Sequence, residues 1–248
     1  MKIQRLVLLG CAIILSTAVH AQPGQMGGAM FGGSMAKLFG GNSAFSADMQ
    51  IQMTAGGNQN MTMPGKFAFD SGKSRFEMSL SDANGNLGRP GMVEQMKAMG
   101  MDKTVTISRP DTKTTYMIYP GLSAYAAMPL RDSEATKPEA FKVDTTELGK
   151  DMVDGHACVK NKVVVTDDQG QAHEFTAWNA TDLNKFPVKI EMNEQGHNAT
   201  LLFKNVKTSK PDAALFDPPA DYKRYDSLQA MMQQEMMKHM GAMPPNHP

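Results

Sequence analysis

Phe45-Ser46-Ala47-Asp48-Met49-Gln50-Ile51-Gln52-Met53-Thr54 alternates apolar and polar side chains without a miss. A period of two places every apolar member on one side of an extended chain, so this stretch predicts a strand with one buried face. The same alternation recurs in Ser74-Arg75-Phe76-Glu77-Met78-Ser79-Leu80, in Thr104-Val105-Thr106-Ile107-Ser108 and in Val188-Lys189-Ile190-Glu191-Met192. Further strands are expected at 66–70, 113–119, 158–166, 171–178 and 198–206. Turn chemistry falls between them, as Asp70-Ser71-Gly72, Pro110-Asp111, Asp167-Asp168-Gln169-Gly170 and Glu194-Gln195-Gly196. Strands joined by turns this short form antiparallel hairpins, because parallel pairs need long crossovers.

Helical signals are few. Met92, Val93, Met96 and Met99 stand at helical spacing within Pro90–Met99, Pro211–Phe216 makes a short turn, and Ser227–Met240 carries an apolar stripe through Leu228, Met231, Met232, Met236 and Met240. The expected architecture is mainly β: one curved, mostly antiparallel sheet with a few helices against one face.

The two ends of the chain read differently from its middle. Lys2 and Arg5 precede an apolar run from Leu6 to Val19, and Val19-His20-Ala21 offers a cleavage site before Gln22. Residues 1–21 are therefore read as a secretory signal peptide, which sends the product to the periplasm or outside the cell as a soluble protein. Leu8-Leu9-Gly10-Cys11 has the form of a lipobox, but Cys11 lies inside the apolar run, and cleavage there would leave too little hydrophobic segment for recognition. Residues 22–42 form a Gly- and Met-rich arm whose glycine content argues for flexibility, with order expected near Ser43. The domain is expected over 43–225, followed by a Met-rich helix and tail over 226–248.

Composition excludes several function classes. Removing 1–21 takes away Lys2 and Arg5 and no acid, leaving 23 basic against 25 acidic side chains, which is no footprint for nucleic acid. No second long apolar run follows the first, so no transmembrane segment is expected after cleavage. Cys158 is then the single cysteine, and the domain must stand without an intramolecular disulfide. His156, two residues away, shares a strand face with it, but no Cys-His signature accompanies the pair.

Catalytic motifs fail on context, and no enzyme activity or cofactor is expected. Ser34-Met35-Ala36-Lys37 lacks the partner motifs of penicillin-binding enzymes. Asp82-Ala83-Asn84-Gly85-Asn86 opens like a calcium loop but has Leu87 where glycine and Val93 where glutamate belong. The conspicuous excess is methionine, 23 of 248 residues. Thioether sulfur favours Cu(I), so a methionine-rich Cu(I)- or Ag(I)-binding protein is the alternative, with Met231, Met232, Met236, Met237, His239 and Met240 as its ligands. The competing reading is that methionine at helical spacing serves packing.

In the C-terminal half the residues become recognisable: Gly149-Lys-Asp-Met-Val-Asp-Gly155-His-Ala-Cys158, Thr176-Ala-Trp178-Asn-Ala180-Thr-Asp182-Leu183, Phe186-Pro187-Val-Lys-Ile190, and Pro211-Asp-Ala-Ala-Leu-Phe216-Asp-Pro218-Pro219-Ala-Asp-Tyr222, preceded by Arg109–Tyr116 and the Tyr119-Pro120-Gly121 turn. This series resembles a family of exported bacterial proteins built on a domain of unknown function. That family is in turn similar to the periplasmic lipoprotein carriers of the LolA, LolB and LppX type. The resemblance covers about residues 43–225 and implies a half-barrel: a strongly curved antiparallel sheet whose concave apolar face is covered by helices. It implies an apolar, lipid-like ligand or an envelope partner protein, and no catalytic residue. A ligand cavity would be lined by inward members of the alternating strands, namely Phe45, Met49, Phe67, Phe69, Phe76, Met78, Ile107, Ile190 and Phe203.

Overall fold

The alternating stretch forms strand β1 (Ala44–Ala55), and it lies in the middle of the sheet. On one side it pairs along its whole length with β2 (Gln59–Asp70), and on the other with β12 (His197–Lys207), which comes from the far end of the chain. The structure is a computed structural model that describes residues 37–55, 59–85, 91–130, 141–166, 170–194 and 197–241. Among these residues one large, curved, unclosed sheet accounts for nearly all regular structure.

Beyond β2 the sheet continues through β3 (Lys73–Ser79), β5 (Lys103–Arg109), β6 (Thr114–Tyr119), β7 (Ala124–Pro129) and the short β13 (Lys223–Tyr225). β4 (Asn84–Gly85) adds to β2 off this path. Beyond β12 it continues through β11 (Phe186–Glu194), β10 (Ala172–Ala180), β9 (His156–Thr166) and β8 (Lys142–Val153). Every pairing is antiparallel except β13 with β7. Two tight turns carry positive φ at both central residues, Ser71 (52°) with Gly72 (93°) and Asp154 (50°) with Gly155 (85°). That is the geometry whose twist matches the flanking strands of a two-residue hairpin.

Several strands go beyond the sequence expectation. β2 begins at Gln59 rather than 66, because Pro64 and Gly65 do not interrupt it. Pro64 lies past the end of the β3 ladder, which starts at Gly65 opposite Met78, and a Cβ on Gly65 would come within 2.6 Å of the Glu77 carbonyl oxygen. β8 is an edge strand exposed along almost its whole length, so it has no buried face to impose alternation. β7 is written in alanines that fit beneath a helix, and β13 is three residues long.

The arm is ordered earlier than expected. Leu38 and Phe39 are buried, and Phe39 inserts among the rings of Phe45, Phe67, Phe69, Phe186 and Phe203 at centroid separations of 4.7–6.2 Å. Glycine-rich sequence discourages regular structure, but two large apolar side chains gain several kcal/mol on burial, about 1.5–3 each, and that decides their position.

Residues directly opposite in a ladder share a face. The face of Phe45, Ala47, Met49 and Ile51 carries the main core, with Phe67, Phe76, Phe175, Ile190, Leu201 and Phe203. Further along this face α2 (Leu228–Gly241) packs on β6, β7 and β13, where Met117, Tyr119, Ala126, Tyr225 and Met231 are buried. Between the two clusters β5 turns Thr104, Thr106 and Ser108 to this side. The apolar members of β5, Val105 and Ile107, point to the opposite side and meet Ala68, Ile118 and Phe216. Phe216 belongs to the 3-10 turn Ala213–Phe216, which Arg109 holds down. Its guanidinium donates to the Phe216 carbonyl at 3.2 Å, to Asp111 at 2.8 Å and to Asp217. α1 (Met92–Ala98) forms where expected but buries none of its residues.

Candidate site on the polar face of the sheet

The face opposite Phe45 is largely polar where β12, β1, β2 and β3 run side by side, and turns apolar at β5 with Val105 and Ile107. The register sets Asp48 opposite Lys66 and Lys204, Lys66 opposite Glu77, and Ser79 opposite Lys103. A hollow of about 590 Å³ opens on this face, lined among others by Gln50, Pro64, Lys66, Met78, Lys103, Val105, Pro120 and Lys204. Its lining is mostly apolar, because Pro64, Val105 and Pro120 sit among the carbon stems of the lysines. A second hollow of about 570 Å³ adjoins it and shares Asp48, Lys66 and Glu77, adding Arg75, Asn205, Lys207 and Leu215.

Several charges in these hollows are already paired. The Arg75 Nε donates to Glu77 at 2.7 Å, and the Asn205 amide donates to Asp48 at 2.7 Å. Lys204 stands 3.8 Å from Asp154. Lys66, Lys103 and Lys207 are exposed and form no ion pair among the described residues. A third hollow, lined by Glu174, Thr176, Glu191, Asn198 and Thr200, opens on the same face further along.

The expected cavity lining is distributed differently. Phe45, Met49, Phe67, Phe76, Ile190 and Phe203 lie on the Phe45 face, as the period requires, but all are at most 6% exposed and pack against one another and Phe39. Phe69 and Met78 are partly buried at the margin of that cluster. Ile107 is a correction. Thr106 rather than Ile107 pairs with Phe76, so Ile107 faces the other way and is fully buried beneath Phe216. One-residue differences in register reverse a side chain's face, and the period within a strand carries no information about register between strands. Of the expected residues, Met49 and Met78 border the first hollow and Phe67 the second. Periodicity selects the core-facing residues, whereas the first two hollows lie over the polar members of the same strands.

Two of the three helix methionines whose side chains are described serve packing. Met231 is fully buried against β6, β7 and β13, Met232 packs at the edge of that cluster, and Met237 is 52% exposed. The side chains of Met236, His239 and Met240 lie outside the described residues. Buried Glu235 joins the helix to the sheet edge: the Tyr225 hydroxyl donates to its carboxylate, and Lys238 donates at 2.6 Å.

The remaining candidates are structural. Cys158 is 2% exposed, burial pushes its thiol pKa up, and its Sγ donates to the His156 carbonyl at 3.4 Å. The His156 ring is engaged by Asp182 at 2.8 Å, a contact that holds the Asp182 carboxyl below the ordinary range. Asn84 and Gly85 of the calcium-like loop form β4 against Met61 and Thr62, which is a strand bridge rather than a coordinating loop. Ser34, Met35 and Ala36 lie outside the described residues. Trp178, 3% exposed, donates its indole N–H to Asp151 at 2.9 Å, with the Lys160 and Lys189 ammonium groups 4.8 and 4.1 Å from its ring centroid.

The family model for DUF4412, a domain of unknown function, matches residues 45–186, more than half of the chain. The chain belongs to the DUF4412 family. The matched segment runs from β1 to the start of β11 and contains the strands β1, β2, β3 and β5 that form most of the first hollow of this DUF4412 protein. Among solved structures the chain is similar to a LolA superfamily protein from Nitrosomonas europaea (7% identity, TM-score 0.39, 77% of this chain and 97% of that one covered). It is also similar to the lipoprotein LppX of Mycobacterium tuberculosis (8%, 0.39, 72% and 93%) and to LprF from Mycobacterium bovis (14%, 0.37, 73% and 92%). At such identities and scores no residue role passes from these proteins to this one. No curated protein matches the chain.

Proposed function

We propose that this DUF4412 protein is an exported, non-enzymatic binding protein of the periplasm that holds an apolar, lipid-like ligand in the groove over β1, β2, β3 and β5. One observation carries the reading: a hollow of about 590 Å³ whose exposed lining atoms are mostly carbon although charged side chains ring it. Apolar walls with a few polar groups at the rim are the usual make-up of a small-molecule site. The aromatic face is spent on packing, so the ligand is placed on the opposite side from the one the strand period favours. Export rests on the signal peptide read in residues 1–21, and no helix among the described residues is long and apolar enough to cross a membrane. The acids of the groove other than Asp82 are engaged, Glu77 by Arg75 and Asp48 by Asn205, which suits a rim that binds.

The test is native mass spectrometry of protein purified from its own periplasm, with displacement of an environment-sensitive fluorophore by aliphatic ligands. The wild type is expected to retain an apolar molecule and to lose it when Pro64→Trp fills the hollow from its exposed side. A wild type that binds no aliphatic ligand, or a Pro64→Trp variant that binds as tightly, would overturn the reading.

A further inference from the structure

We propose that the ligand of this groove is an amphiphile with an anionic head, and that the second hollow is the head-group site. This rests on the apolar-ligand reading of the first hollow. The two hollows adjoin through Asp48, Lys66 and Glu77 and differ in chemistry. The first has the more apolar walls and balances Lys66, Lys103 and Lys204 with Asp48, Glu77 and Asp82, whereas the second gathers Lys66, Arg75 and Lys207 around the polar groups of Ser46 and Asn205 with only two acids. Its three cations exceed its two acids, Asp48 and Glu77, by one charge, and both acids stand cross-strand to Lys66. Glu77 is held by Arg75 at 2.7 Å and Asp48 accepts from Asn205 at 2.7 Å, while Lys66 and Lys207 form no ion pair among the described residues. Two exposed ammonium groups that form no ion pair among the described residues, beside an apolar trough and in a hollow with one excess positive charge, match a chain whose polar end carries negative charge. Lys66 lines both hollows, so it stands where chain and head group meet. A carboxylate and a phosphate monoester satisfy this geometry equally, and the probes below separate them.

The experiment measures dissociation constants of dodecanoate and dodecyl phosphate, each below its micelle concentration, and of dodecanol below its solubility limit, at low and high salt. The anions are expected to bind about tenfold or more tightly than dodecanol at low salt, with the difference shrinking as salt rises. The double variant Lys66→Gln/Lys207→Gln is expected to abolish the difference between the anions and dodecanol. The control Lys142→Gln/Lys150→Gln, on the exposed edge strand β8, should change neither. Tighter binding of dodecanoate than dodecyl phosphate assigns a carboxylate head, and the reverse order a phosphate. Equal binding of anions and dodecanol, or a gap that survives the double variant, overturns the head-group site while leaving the apolar groove standing. Failure of all three to bind the wild type removes the apolar-ligand reading and this inference with it.

Discussion

Phe39→Ala tests the claim that the end of a glycine-rich arm is part of the core. Phe39 is 2% exposed, and its ring lies 4.7 Å from Phe45, 5.7 Å from Phe186 and Phe203, 5.9 Å from Phe67 and 6.2 Å from Phe69. Its partners belong to four strands, β1, β2, β11 and β12, so no single side chain can move to fill the space it leaves. Truncation of a phenylalanine packed in this way costs about 3–5 kcal/mol, the sum of lost transfer energy and an unfilled cavity. For a domain of this size each kcal/mol lowers Tm by roughly 2–4 °C, so a fall of roughly 6–20 °C is expected. Urea unfolding followed by Trp178 fluorescence and far-ultraviolet circular dichroism gives both the midpoint and the slope. Phe39→Leu keeps much of the apolar volume and should lose no more than about 1.5 kcal/mol. A loss below about 1 kcal/mol for Phe39→Ala would refute the reasoning, because a ring on a loose arm contributes no more than that.

Gly121→Ala places a Cβ 2.5 Å from the Gly100 carbonyl oxygen and 2.7 Å from its Cα, both backbone atoms, and should cost about 1–3 kcal/mol in urea unfolding. Gly41→Ala, with nothing within 4 Å, is the matched control and should cost little. Burial alone raises the Glu235 pKa, but hydrogen bonds from Lys238 and Tyr225 outweigh it and hold the carboxyl below its ordinary 4.5. A depressed folded-state pKa contributes stability that is present above about pH 4.5 and lost as pH falls through the folded value, so wild type and Glu235→Gln should differ in Tm at pH 7 and converge below pH 4.5. A difference undiminished at pH 3 would count against this carboxylate as its source. In a chain beginning at Gln22, the Cys158 thiol should resist Ellman's reagent at pH 8 until urea unfolds the protein; rapid reaction of the native form would contradict its burial.

Local pattern was enough wherever a strand had one buried and one exposed face. β1, β3, β9, β10, β11 and β12 follow from alternation and turn residues because each such strand meets the same demand along its length. β8 escaped because an exposed edge strand has no buried side to write into sequence, and Leu148 and Met152 stand 53% and 64% exposed on it. Leu38 and Phe39 escaped because glycines dominate their surroundings, and their burial depends on rings contributed by residues 45 to 203. The groove escaped for a related reason. Lys66, Lys103 and Lys204 read one at a time as solvated strand positions, and nothing local says that the strands bring them to a common rim, with Lys207 beside Lys66 in the adjoining hollow.

The stretch from Phe45 to Thr54 determined by itself that β1 is extended and which of its side chains are buried, and its recurrence along the chain with turns between determined that the protein is mainly β. Side-chain alternation is a property of one strand, set by covalent geometry. Only the tertiary structure decided which strands stand beside one another, that Ile107 turns away from Phe76, and that the apolar face is filled while the polar face carries the hollows. Those outcomes follow from register between strands distant in sequence and from the packing of large side chains into a shared volume. Neither is encoded in the period of any one of them.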